Sequence, residues 1–198
     1  MPVYPGDPVV VLKNKNLFEK QGYNTLSLTM SSHAGTHIDA PLHVIDKGMS
    51  IESIDLACVI GEAHFIEIPK NKGEKIYPHE LQQFEIRQND ILIIRTGWEE
   101  KKYMSDYFFD FPQLTEQSAD LLIEKKIKAI GSDSPSIDGI SQKGIAHKKL
   151  LGAGIILIES LINLKQIIGS RLFFAAVPLK IKGADGSPVR AFAINYEI

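Results

Sequence analysis

At 198 residues the chain has the length of one sizeable domain, since domains run ~100–200 residues and a chain this long buries about 70% of its unfolded surface. Hydrophobic residues at 44% and charged residues at 23% sit near the globular average and exclude a disordered or low-complexity chain. With 22 Lys plus Arg against 24 Asp plus Glu, the net charge of −2 carries no electrostatic footprint for nucleic acid or an anionic membrane, which leaves small-molecule chemistry as the default. The single Cys58 cannot form an intramolecular disulfide, and no charged segment followed by an apolar one opens the chain, so a cytoplasmic location is expected. No apolar run nears the ~20 residues of a membrane span.

In chain order, residues 24–30 alternate, with Leu26, Leu28 and Met30 on one side and Thr25, Ser27 and Thr29 on the other, the period of a half-buried strand. Short β-branched runs at 63–68 and 90–95, bounded by Gly, Pro or Asn, predict buried strands, and 127–130, 154–158 and 172–177 resemble them. A helix is predicted from Thr115 as N-cap, with Ala119, Leu122 and Ile123 at helical spacing. Further helices are expected at 145–151, ended by Gly152, and at 161–168, closed by Gly169. A last strand is expected at 189–196. Helices between strands argue α/β, and the close spacing of strands near the ends argues a mixed sheet. No repeat or Gly- or Pro-rich linker divides residues 1–198, so one domain is expected.

Three of the six histidines fall within His33-Ala-Gly-Thr-His37-Ile-Asp39-Ala-Pro41-Leu-His43. Gly35 and Pro41 argue against a continuous helix, and in an extended segment His37 and Asp39, two apart, share a side. A turn at Ala34-Gly35 brings His33 round to join them. Imidazoles and a carboxylate on one centre suit Zn²⁺, Fe²⁺ or Mn²⁺ and leave room for water. A lone histidine in such a segment is more often a hydrogen-bonding residue; three with an aspartate shift the balance to metal. Glu159 ends an apolar strand, where a carboxylate must be paired, neutralised or metal-bound. A salt bridge or a helix-cap contact serves Glu159 equally well. His147, beside Lys148 and Lys149, reads by itself as a solvated helix residue.

The eleven-residue run matches the H-x-G-T-H-x-D-x-P-x-H signature of the metal-dependent cyclase family, which includes bacterial kynurenine formamidases and isatin hydrolases. Pro2-Val-Tyr-Pro-Gly-Asp7, the stretch from Asp90 to Trp98, Gly131 to Asp138, His147 with Glu159, and Pro178-Leu-Lys180 followed by Gly186 to Arg190 resemble the same family. The resemblance implies an α/β fold around a mixed, barrel-like sheet with a few flanking helices, of the swivelling β/β/α kind. It also implies a homodimer or larger assembly. It places two divalent ions, Zn²⁺ first and Mn²⁺ as the alternative: one on His33, His37 and Asp39, the other on Asp39, His147 and Glu159, with Asp39 and Glu159 bridging. His43 becomes the catalytic proton donor and acceptor. The implied activity is hydrolysis of a small-molecule amide of the formamide type, as in tryptophan catabolism. Cyclic-amide opening or a cyclisation at the same site is the alternative, and a catalytically idle metal-binding module is another.

Three departures stand out. Tyr4 occupies a position that is typically Trp in kynurenine formamidases, where the ring packs on substrate. Relatives usually carry a short strand ahead of the segment that here opens at Met1. The loop at 141–144 differs from theirs, so pocket shape does not transfer. Among Tyr4, Phe65, Trp98, Phe108 and Phe109 as pocket walls, a core or surface place is favoured for all but Tyr4. Asp133, Ser134 and Ser136 are candidates to orient metal ligands, although a plain turn uses the same residue types. His64 and His79 read as structural.

Overall fold

The computed structural model describes residues 2–139 and 144–195. Strands β1 (Val11–Asn16) and β2 (Thr25–Thr29) form an antiparallel hairpin around the short helix α1 (Phe18–Gln21). Then follow β3 (His37–Asp39), β4 (Ile60–Glu67), β5 (Lys75–Ile76), α2 (Pro78–Leu81), β6 (Ile91–Arg95), β7 (Gln113–Leu114), α3 (Glu116–Glu124) and β8 (Ala129–Ser132). The chain continues through α4 (Ile145–Gly152), β9 (Ile156–Glu159), β10 (Arg171–Ala175), β11 (Gly186–Pro188) and β12 (Phe192–Asn195).

Eight strands form one mixed sheet in the order β11-β3-β9-β8-β6-β4-β10-β12, curled into half a barrel. Its centre, β4-β6-β8-β9, is parallel, and every outer neighbour is antiparallel. A parallel centre needs both faces covered. In β6, Leu92 and Ile94 belong to one core cluster with Leu122 of α3 and Leu150 of α4, while Ile91 and Ile93 belong to another with Ile51, Leu161 and Leu164. The stretch Ile91–Ile94 is therefore apolar throughout because neither face sees water. The α/β class with a mixed, barrel-like sheet expected from the sequence is the architecture found.

Several details differ. Residues 24–30 do pair, but β2 is exposed at every residue except the half-buried Ser27, because its partner is β1 and not the sheet. Helix α3 starts where Thr115 Oγ1 accepts from Ser118 N–H at 3.2 Å. The helix expected at 161–168 is only a 3₁₀ turn at Leu164–Gln166, since Asn163 enters it in the left-handed region at φ 65°. The final strand begins at Phe192; Tyr196 lies outside the described residues, as do 141–143 of the departing loop. Among the described residues no helix is long and apolar enough to cross a membrane.

Candidate metal centre

Strand β3 is three residues long, yet it carries two of the expected ligands. Gly35, at φ 68°, makes the turn that a residue with a Cβ would resist, and returns His33 beside the strand. His37 and Asp39 then share one side of β3, and in the antiparallel β3–β9 pair His37 stands opposite Glu159. Helix α4 delivers His147 from the far side. Asp39, His37, His147 and Glu159 are all buried.

The outer ring nitrogens are committed in a way that points Nε2 of both His37 and His147 at the centre. Gly35 C=O can only accept, so His37 Nδ1 donates to it at 2.8 Å, and Nε2 faces Asp39 Oδ1 at 3.3 Å and Glu159 Oε2 at 3.5 Å. His147 Nδ1 is held by Asp138 Oδ1, which turns Nε2 toward Glu159 Oε1 at 3.2 Å and Asp39 Oδ2 at 3.4 Å. Asp39 Oδ2 is buried without a hydrogen-bond partner among the described residues; His147 Nε2 is close enough for an ion pair but lacks hydrogen-bond alignment. An unpartnered buried carboxylate oxygen is costly. A divalent cation among two imidazoles and two carboxylates satisfies it, so the donor set fits the metals that the motif implies.

His33 differs. Its Nδ1 lies 2.7 Å from Asp39 Oδ1 and its Nε2 3.0 Å from Asp185 Oδ2. Facing two carboxylates, the ring carries hydrogen on both nitrogens, and to act as a ligand it must release one of them. Ligand atoms of His33, His37 and Asp39 nonetheless lie within 4.8 Å of one another, as do those of Asp39, His43 and His147.

Without metal, the centre is a mesh of opposite charges. Burial pushes His37 down, but the charge on Asp39 outweighs it and lifts the ring to about 10. Burial likewise opposes charging of His147, and the Glu159 carboxylate overrides it. Burial raises Asp39 and Glu159, and the imidazolium charges of His37 and His147 respectively bring them below the usual carboxylate range.

His43 follows β3 in the 3₁₀ turn Pro41–His43 and is part-exposed at the cavity above the centre, its ring centroid 4.2 Å from that of His33 and 6.0 Å from that of His147. The cavity is about 580 Å³. Tyr4 lines it, edge-to-face with Phe108 at 5.3 Å, and Phe108 meets Tyr107 the same way at 4.9 Å.

Phe108 is thus a wall, contrary to the core or surface place favoured for it. Phe65 and Trp98 are buried in core clusters and Phe109 is exposed, as favoured. Asp133 orients no ligand: its oxygens accept from Thr96 N–H and Oγ1 and from Gly97 N–H, clamping the turn after β6. Ser134 Oγ has no hydrogen-bond partner among the described residues, while Ser136 lines the cavity. The residue that orients His147 is Asp138, which also accepts from Ala146 N–H at the start of α4. Asp185 was not legible either; only its place before Gly186, in a segment resembling the family, pointed to it. His64 and His79 stand outside the cavity.

Residues 1–139 match the family model described as "Putative cyclase". A kynurenine formamidase of Geobacillus thermodenitrificans is 35% identical over 194 residues, covering 96% of this chain and 90% of that protein. One of Bacillus anthracis is 35% identical over 193 residues, covering 95% and 88%. Among solved structures, isatin hydrolase A from Labrenzia aggregata, bound to benzyl benzoate, superposes with TM-score 0.88 at 25% identity over 100% of this chain and 88% of that one. A potential metal-dependent hydrolase with cyclase activity gives TM-score 0.82 at 29% identity over 100% and 96%. With the signature run, the curled mixed sheet and the convergent imidazoles and carboxylates all in place, the chain belongs to the cyclase family.

Proposed function

We propose that this protein is a metal-dependent amide hydrolase that cleaves aryl formamides of the N-formylkynurenine type, releasing formate and the aromatic amine. The observation that carries the reading is the buried Asp39 Oδ2, unpartnered where two imidazoles and two carboxylates converge. Kynurenine formamidases at 35% identity over almost the whole chain support the substrate class and a place in tryptophan catabolism. His33, His37 and Asp39 would hold one divalent ion, and Asp39, His147 and Glu159 the other, zinc in our reading with manganese the alternative. When bound, such ions polarise the carbonyl and make water nucleophilic near neutral pH.

The chain's own side chains do the rest. Tyr4 and Phe108 present aromatic faces at the cavity wall for the aryl ring. His43 lies at the cavity but is not needed as a ligand, so its ring is free to hand a proton to the departing amine nitrogen as the C–N bond breaks. Such a positioned acid is worth about 10²–10⁴ in rate. Asp138 and the Gly35 carbonyl keep His147 and His37 in the tautomers that face the centre.

The hairpin β1–β2 supports a homodimer: Leu12, Phe18, Leu26 and Leu28 are each more than half exposed there. We assign the enzyme to the cytoplasm, where its single Cys58 stays reduced. Opening of a cyclic amide is the second reading, favoured by the likeness to isatin hydrolase A.

Elemental mass spectrometry on protein purified without chelator, with N-formylkynurenine and isatin hydrolysis on the same sample, tests the reading. Two ions per chain with formamide turnover is the expected result. Two ions with isatin turnover alone selects the second reading, and no metal after reconstitution overturns both.

A further inference from the structure

Behind the cavity, Asp185 touches two of the site's histidines without facing the substrate space. Its Oδ2 lies 3.4 Å from His43 Nδ1 and 3.0 Å from His33 Nε2, and its Oδ1 accepts from Ser32 Oγ at 2.8 Å. His33 and His43 line the cavity; Asp185 does not. The backbone fixes it from both sides. Ala40 N–H donates to Asp185 C=O at 2.9 Å, and the next residue, Gly186, pairs with Asp39 across β11 and β3. A Cβ at position 186 would stand 2.8 Å from both His33 Cε1 and Ile38 O, so only glycine allows the imidazole and the Asp185 segment to approach this closely.

We propose that Asp185 is the positioning residue for His43, fixing hydrogen on Nδ1 and turning Nε2 into the cavity as the atom that serves the leaving amine. The role rests on the formamide-hydrolase reading. A carboxylate only accepts, so the His43 nitrogen facing it is the one that carries hydrogen, and the opposite nitrogen is the one presented to substrate. Ser32, bonded to the other carboxylate oxygen, holds the half-exposed Asp185 side chain in this orientation. The contact with His33 makes the same carboxylate a support for a candidate metal ligand, and the test separates the two roles.

Asp185→Asn and Asp185→Glu are compared with the wild type on formanilides whose leaving anilines differ in basicity, with metal counted on each sample. Loss of an orienting partner of this kind typically costs about 10- to 100-fold. For Asp185→Asn we expect that loss in kcat, with KM and metal content unchanged. It should be largest for the most basic aniline, which most needs protonation, and absent when Asp185→Asn is added to His43→Ala. Asp185→Glu should recover part of the rate. An equal loss for every aniline, an additive loss in the His43→Ala background, or loss of metal would overturn the role and leave Asp185 as a support for His33 alone. Nitrogen-15 spectra of the His43 ring, assigned with His43→Asn, give a readout independent of turnover. Hydrogen on Nδ1 in the wild type and its redistribution in Asp185→Asn is expected; an unchanged ring overturns the proposal even if formanilides are not substrates. Formanilide inactivity with the expected spectra would instead fault the substrate reading.

Discussion

His37 and Glu159 stand directly opposite each other in the β3–β9 antiparallel pair, with His37 Nε2 3.5 Å from Glu159 Oε2. Their place at the junction of two strands ties the centre to the sheet, so that the geometry of the candidate site follows from register. A one-residue slip of β3 would send both His37 and Asp39 to the other face.

From this follows the first prediction. Asp39 faces His33, His37 and His147 at once. Asp39→Ala should lose bound metal and activity together, as expected for a carboxylate proposed to serve both ions. Glu159→Gln should retain the fold and lose metal in part, because Ile137 N–H, which donates to Glu159 Oε1 at 2.7 Å, still finds an acceptor in the amide. Metal content and kcat on the same samples check both; an active, metal-loaded Asp39→Ala protein would sink the two-ion site.

The pH behaviour of the metal-free protein follows from His37. Its folded value of about 10 is above the ordinary ~6.5, so its charge pair with Asp39 stabilises the fold fully below pH ~6.5 and is lost as pH rises through 10. The chelator-treated protein should therefore show a falling Tm from pH 7 to 10. Metal requires the neutral ring, so reloading at pH 7 must eject protons. Calorimetric titration in buffers of different ionisation enthalpy counts them; uptake without proton release would contradict the assignment of His37 as a ligand.

Much of the candidate centre was legible because three of the residues that converge there are close in sequence. His33, His37 and Asp39 lie within seven residues, and Gly35 announces the turn that joins them. Asp185 was harder, since its contacts cross the fold: it reaches His43 over 142 residues, and no local period announces that. Asp138 lies only nine residues before His147, but no helical or strand period joins the two. The core strands read well for the same reason, as Ile91 to Ile94 signal burial on both faces by composition alone. The strand at 24–30 misled about burial: its alternation fits any two-sided ribbon, and its apolar side chains Leu26 and Leu28 face solvent in this chain. Residues 161–168 failed as a helix because Asn163 adopts the left-handed region, a choice that periodicity does not carry.

The aromatic corner makes a specificity prediction. Tyr4→Ala removes the edge-to-face partner of Phe108 and opens the wall, and aromatic pairs are worth about 0.5–1.5 kcal/mol. The expected result is a KM for aryl formamides raised up to about tenfold at nearly constant kcat, with alkyl formamides little changed. Tyr4→Phe should behave as wild type. An equal effect on both substrate classes would remove Tyr4 from the substrate wall.

Self-association is testable at the hairpin. Leu12 and Leu28 are cross-strand partners in β1–β2, at 63% and 55% exposure. Charges placed there should disfavour burial against a second copy, so Leu12→Glu with Leu28→Glu should sediment as a monomer where the wild type sediments as a dimer. A wild type that is already monomeric at micromolar concentration would show that this face is not covered by a second copy.

The last prediction concerns the sheet away from the site. Asp90, just before β6, is buried, accepts from Arg87 N–H at 2.8 Å and is paired in two contacts by Arg171 at the start of β10. Asp90→Ala strands both donors. For a fully buried pair the loss is about 3–5 kcal/mol, but the Arg171 side chain is 21% exposed and Glu62 lies 3.6 Å away as a second acceptor, which brings the expected cost to about 2 kcal/mol. At this chain length that lowers Tm by about 4–8 °C. Neither residue lines the cavity, so kcat per folded molecule should be unchanged. Replacing Arg171 by Met in the Asp90→Ala background removes the orphaned cation and should recover part of the stability; a further drop would mean that Arg171 holds the sheet through its contacts with Glu85 C=O and Glu62 more than through Asp90.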